Sequence, residues 1–173
     1  MEHHENKNFA ILTFKADNLL YDIRNIAFIT GDQLPGQPDE KLRANIQDVA
    51  AEGNADFLRR KMQLAFCEVR ERLYTYTGHP VRHPEAKDDD PHEPCAYTFL
   101  IRLPRHFSQT TLRLVESLIH EYIVDGALFE WFSIVKKDEA ELYYQKRENA
   151  MERLRECMEH RMRKRERPLF PPY

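Results

Sequence analysis

The sequence predicts a mainly α protein: a helical bundle with a long C-terminal antiparallel helix hairpin and a minor β component at about 9–15 and 96–103. Three observations point there. Glycine is scarce, at five of 173 residues, while Leu, Glu, Lys and Arg are plentiful, a balance that favours long helices over sheet. Apolar residues recur at steps of three and four over long stretches, which places them on one helical face. Only two short runs are rich in β-forming residues.

The elements follow in order. Phe9–Lys15 is an apolar run suited to a strand or an extended arm. Asp17 offers an N-cap, Leu19, Ile23 and Ile26 follow at helical spacing, and Gly31 ends the segment. Gln33–Pro38 is a loop by its prolines and glycine. Asp39 opens a short helix through Leu42, Ile46 and Val49, which Gly53-Asn54 should break, with Asn54 capping the next. That third helix buries Leu58, Met62, Ala65, Val69, Leu73 and Tyr76, turns Arg59, Arg60, Glu68, Arg70, Glu71 and Arg72 outward, and ends at Thr77-Gly78.

His79–Pro94 holds four prolines and the acidic run Asp88-Asp89-Asp90, and is expected to be a mobile loop. Cys95–Leu103 alternates as a strand with apolar members on both faces. Ser108 is the N-cap candidate for a helix over Gln109–Ile134. Its stripes, Leu112, Val115, Ile119, Tyr122 and Leu114, Leu118, Leu128, Trp131, wrap so much of the surface that the helix should be central. Gly126 inside it allows close packing or a kink. Asp138 and Glu141 have capping-box spacing for a last helix to about Arg163, with Ala140, Tyr143, Met151, Leu154 and Met158 buried. The short Val135-Lys136-Lys137 turn makes the two long helices an antiparallel hairpin. Residues 1–165 thus form a single helix-rich domain with a loop at 79–94, and 166–173 an extended, proline-rich tail.

Composition narrows the function classes. Net charge is −3, so bulk electrostatics does not call for nucleic acid. Three widely spaced cysteines form no disulfide framework, and Cys67 and Cys157 read as small apolar groups on helices. The N-terminus lacks signal-peptide character, and no apolar run approaches the roughly 20 residues that span a bilayer. His79, His83 and His92 lie near Asp88–Asp90, Glu93 and Cys95, but their spacing matches no zinc pattern, and a solvated polar loop is preferred. His120-Glu121 lacks the second histidine of HExxH. Ser108, Thr110 and Thr111 suit capping, and no GxSxG, P-loop or GxGxxG is present. The expectation is therefore no enzyme, no catalytic residue, no metal and no cofactor. Arg161, Arg163, Lys164, Arg165 and Arg167 form a basic tract that suits a protein neighbour, phosphates or solvent. The aromatic group Phe129, Trp131, Phe132, Tyr143 and Tyr144 reads as core. Leu169, Phe170 and Tyr173 are harder to bury in the same fold and suit docking onto a partner.

The stretch Leu118–Phe132 (LIHEYIVDGALFEWF), the following Val135–Tyr143 (VKKDEAELY) and the Arg-rich helix Leu154–Arg167 resemble small structural proteins from the packaging and neck genes of phages and prophages of gut anaerobes. The helix that enters through Asp56 and ends in Tyr74-Thr75-Tyr76-Thr77-Gly78 is similar to the early helices of tailed-phage head–tail connectors. The resemblance covers about half of the chain. It implies a ring-forming adaptor between portal and tail, assembled in the host cytoplasm into the virion, near packaged DNA but with no small-molecule substrate. Asp88, Asp89 and Asp90 against Arg161–Arg167 would supply the two different patches that a ring of heterologous contacts requires. Two other classes stand beside it: a helical nucleic-acid-binding regulator using the basic tract, and a small metal-dependent protein using the His79–Cys95 loop.

Overall fold

A computed structural model describes residues 8–33, 40–50, 52–77, 95–103 and 107–162. In chain order these form β1 (Asn8–Lys15), α1 (Ala16–Asp32), α2 (Glu40–Gln47), a 3-10 turn (Asp48–Ala50), α3 (Glu52–Arg72), α4 (Tyr74–Thr77), β2 (Ala96–Leu103), α5 (Gln109–Val135) and α6 (Lys137–Met162). The fold is mainly α with one small sheet among the described residues, as the composition and periodicity predict.

α5 is the axis of the molecule. It buries residues around most of its circumference, from Val115 through Ile119, Tyr122, Ile123 and Leu128 to Phe132. Such a helix needs cover on several sides, and α1, α3 and α6 supply it. α6 returns antiparallel after the single residue Lys136. Phe132 stacks on Tyr143 at 5.0 Å, and further from the turn Phe129 meets Tyr144 at 5.6 Å. α3 crosses α5 where Gly126 faces Ala65, and a Cβ on Gly126 would lie 3.1 Å from the Ala65 Cβ. The glycine in the middle of the helix is therefore a site of close approach between two backbones.

β1 and β2 pair antiparallel over their full length, from Asn8 opposite Leu103 to Lys15 opposite Ala96. This pairing joins segments 80 or more positions apart, so local sequence carries no signal of it. Leu12, Phe14, Tyr97, Phe99 and Ile101 point inward, and Phe66 of α3 packs on Phe99 at 4.6 Å and Tyr97 at 5.1 Å. β2 was expected to be apolar on both faces. Only its odd-numbered face is buried, and Ala96, Thr98, Leu100 and Arg102 are half-buried.

Several caps differ from expectation, because backbone geometry and not residue preference sets where a helix begins. α1 starts directly from the strand with Lys15 at its N-cap, and Asp17 sits in the first turn, where its charge still suits the helix dipole. Gly53 and Asn54 lie inside the first turn of α3, and Asn54 Nδ2 donates to the Asp48 carbonyl at 2.9 Å. It ties α3 back to the 3-10 turn and caps nothing ahead. α3 pauses at Leu73 before α4, although the Leu73 N–H still bonds to the Val69 carbonyl. Ser108 holds the N-cap position of α5 without a side-chain hydrogen bond. Lys136 precedes α6, so Asp138 falls within its first turn and no capping box forms there. Leu114 is exposed and Leu112 half-buried, which narrows the apolar surface of α5 at its start. Cys67 and Cys157 are half-buried against the core. The expected loop His79–Pro94, all but Gln33 of the expected loop Gln33–Pro38, and the segment 163–173 lie outside the described residues.

Candidate functional site

A groove of about 680 Å³ opens where β1 runs into α1 beside the N-terminal half of α5. β1 contributes Thr13, Phe14 and Lys15, α1 contributes Asn18, and α5 contributes Arg113, Glu116, Ser117, His120 and Glu121. The α5 residues recur at steps of three and four, so they share a face. Three consecutive residues of β1 line the groove and no residue of β2 does. Side chains alternate across a strand, so a consecutive run means that the backbone edge opposite β2 borders the groove.

On this face His120 Nε2 lies 2.7 Å from Asp22 Oδ2, and its ring is tilted against Phe14 at 6.4 Å between centroids. The pair fastens α1 to α5 and fixes the orientation of the imidazole. Both side chains are 31% and 44% exposed, so the contact contributes only about 0–1 kcal/mol. Ser117 lies one turn before His120, which brings a hydroxyl, an imidazole and a carboxylate into one groove. No hydrogen bond joins Ser117 to His120, and the N–H groups of a helix interior are committed to their own ladder.

A second polar cluster lies between α3, α5 and α6. The Tyr122 hydroxyl donates to Glu68 Oε2 at 3.0 Å, Arg147 lies 3.5 Å from the same carboxylate, and Arg72 binds Glu148 at 3.1 Å. The Arg147 guanidinium sits over the rings of Tyr122, Phe129 and Tyr144 at 5.4 to 5.6 Å. Burial pushes the Tyr122 hydroxyl up to about 12, and Glu68 adds to it against the opposing effect of Arg147 and Arg72. Charges are paired, aromatic faces cover the cation, and the cluster clamps three helices together.

Asp125 lies in a cleft of about 380 Å³ between α5 and α6, with Glu121, Lys146, Asn149 and Arg153. Burial raises its carboxyl to about 6 from an ordinary 3.8, Glu121 pushes the same way, and Lys146 opposes both. The folded state therefore holds this proton more tightly than the unfolded chain does. Its stabilising contribution is complete below about pH 4 and is lost as pH rises through about 6. Asp125→Asn is expected to raise stability by about 1–2 kcal/mol at pH 8, less than the full linkage value because the cleft is open to water. The gain should vanish at pH 4 in parallel denaturation curves, and an equal gain at both values would sink this account.

Of the sequence-predicted site residues, only Arg161 falls among the described residues. Arg161 is in the last turn of α6. Arg163, Lys164, Arg165, Arg167, Leu169, Phe170, Tyr173, Asp88, Asp89 and Asp90 lie outside the described residues, as do His79, His83 and His92. Cys95 is exposed beside β2. Among the described residues no group of three His, Cys, Asp or Glu side chains could hold a metal ion. Sequence reasoning singled out His120 but missed its partner, because Asp22 is 98 positions away. The three-and-four spacing of Arg113, Glu116, Ser117 and His120 was the one available signal.

No family model, curated protein or solved structure matches the chain.

Proposed function

We propose that the chain is a structural subunit that assembles with copies of itself, as a component of a phage head–tail connector between portal and tail. The observation that carries this reading is apolar surface on the outside of β1 and α1. Ile11 is 69% exposed and Phe9 45%, while on α1 Tyr21 is 65%, Phe28 55% and Ile29 53% exposed. Scattered apolar residues on a surface need no explanation, but the concentration of five large ones on two consecutive elements supports an interaction face there. Neighbouring subunits would cover that face and close a ring around the DNA channel of the virion. The resemblance of α5 and α6 to neck-gene proteins adds the place of assembly, with the portal and tail proteins as further partners.

Negative-stain electron microscopy and light scattering on the concentrated full chain test this. Closed rings of one diameter are expected. Phe28→Lys should abolish them while leaving the helical circular dichroism unchanged. Rings that persist in this variant would remove α1 from the interface. A monomer at every concentration, in the wild type and the variant alike, would count against self-assembly.

A further inference from the structure

We propose that the groove between β1, α1 and α5 binds a short peptide with free termini, its carboxylate at the Arg113 end and its ammonium at the Glu121 end. This does not rest on the assembly proposal, since none of Phe9, Ile11, Tyr21, Phe28 and Ile29 lines the groove. The first argument is that charges of both signs line the groove without closing on each other. Lys15, Arg113, Glu116 and Glu121 form no ion pair among the described residues. Elsewhere the long side chains do close: Lys61 meets Glu130 at 2.6 Å, Arg72 meets Glu148 at 3.1 Å and Arg147 meets Glu68 at 3.5 Å. Arg113 and Glu116 have the spacing of a helical pair, but the cation stands N-terminal to the carboxylate, which is the weaker order on a helix. Opposite charges that face one groove and leave each other free favour a ligand that carries both.

The second argument is the order of charge along the groove. α1 runs in the same direction as α5, because Asp22 meets His120, and Thr30 meets the Tyr143 that stacks on Phe132. Lys15, at the N-cap of α1, therefore lies towards the Arg113 end. At the other end Asp125 follows Glu121 one turn on. Its carboxyl is raised to about 6, by burial first and by Glu121 second, with Lys146 opposing. The third argument is the middle of the groove. His120 Nε2 is held by Asp22, while Nδ1 has no hydrogen bond among the described residues. Ser117 and Asn18 add polar groups beside it, so peptide N–H and C=O groups find partners there. Arg113 and Glu121 are about 12 Å apart along α5, and a chain extended at roughly 3.3–3.6 Å per residue covers that distance with three residues. The groove volume of about 680 Å³ also falls within the roughly 300–1,000 Å³ of sites that hold small molecules.

Two-dimensional NMR of the full chain, titrated with tri-alanine, tests the proposal, with N-acetyl-tri-alanine and tri-alanine amide as blocked probes. Saturable shifts at Asn18, Ser117 and His120 are expected. Tri-alanine should bind at least about tenfold more tightly than either blocked form, because each block removes one charge-assisted contact. Glu121→Gln should abolish the preference over the N-acetylated probe and keep the preference over the amide. Lys15→Gln/Arg113→Gln should do the reverse. Glu152→Gln, on the exposed surface of α6, should bind as the wild type does, and all chains should keep the same helical circular dichroism. Absence of saturable shifts in the groove would overturn the proposal, as would equal affinity for the three probes. So would a loss of binding in either groove variant that is the same whichever terminus is blocked, since that loss would be structural. Failure of the chain to form rings bears on none of these outcomes.

Discussion

Phe132→Ala is expected to destabilise the protein by about 3–5 kcal/mol, a large part of the roughly 5–15 kcal/mol that holds a domain of this kind folded. Phe132 is fully buried at the closed end of the hairpin. Its ring lies parallel to that of Tyr143, with 3° between the planes. The Tyr143 hydroxyl in turn meets Thr30 Oγ1 at 3.0 Å, so one stack joins α5, α6 and α1. Removing the ring leaves a cavity lined by residues already fixed in place, and these cannot collapse into it without giving up the tie to α1. Ile134, two positions on and 70% exposed, serves as the control, and Ile134→Ala should change stability by no more than about 0.5 kcal/mol. Urea denaturation of the two variants at equal m-value makes the comparison. Similar losses in both would mean that the stack does not anchor the hairpin.

The contrast between Phe132 and Ile134 also shows what the sequence made legible. Phe132 reads as core among its aromatic neighbours, Ile134 carries no signal of exposure, and elsewhere the helices were read from apolar periodicity. That periodicity placed α3, α5 and α6 and most of their buried residues, because burial on a helix is a local, repeating property. Caps were less legible. Asp17, Asn54 and Asp138 all have side chains that favour an N-cap, yet each falls inside a first turn, since the preceding strand, 3-10 turn or one-residue link decides where helical geometry begins. The partnership of β1 with β2 was not legible at all. It rests on contacts between distant segments, and the apolar character of both strand faces pointed to cover on both sides.

The groove shows the same limit. His120 was visible as an isolated helical histidine beside Glu121, and isolated histidines are usually structural. Its pairing with Asp22 arises because α1 packs against α5, and that packing is set by Leu19, Leu20, Ile23 and Ala27 rather than by any polar residue. Polar residues gather around the groove because the apolar face of each helix is already spent on the core.

Gly126→Leu is expected to cost about 3 kcal/mol or more, at the upper end for overpacking of a well-filled core. At this position α3 and α5 approach so closely that even a methyl group would sit 3.1 Å from the Ala65 Cβ, with Arg147 Cδ 3.6 Å away on the other side. A leucine would have to separate α3 from α5 or displace Arg147 from the rings of Tyr122, Phe129 and Tyr144. Either movement also disturbs the Glu68 carboxylate that Tyr122 and Arg147 share. Gly126→Ala is a finer probe, because two effects oppose each other. Alanine gains about 1 kcal/mol of helix propensity over glycine, while the Ala65 methyl must yield by a few tenths of an ångström. The net change should be within about 1 kcal/mol of zero. Pairing it with Ala65→Gly removes the opposing methyl, so a double-mutant cycle should give a favourable coupling of about 0.5–2 kcal/mol. Additive effects in that cycle, together with a mild Gly126→Leu, would mean that the two helices have room to part, and that this glycine is tolerated rather than required.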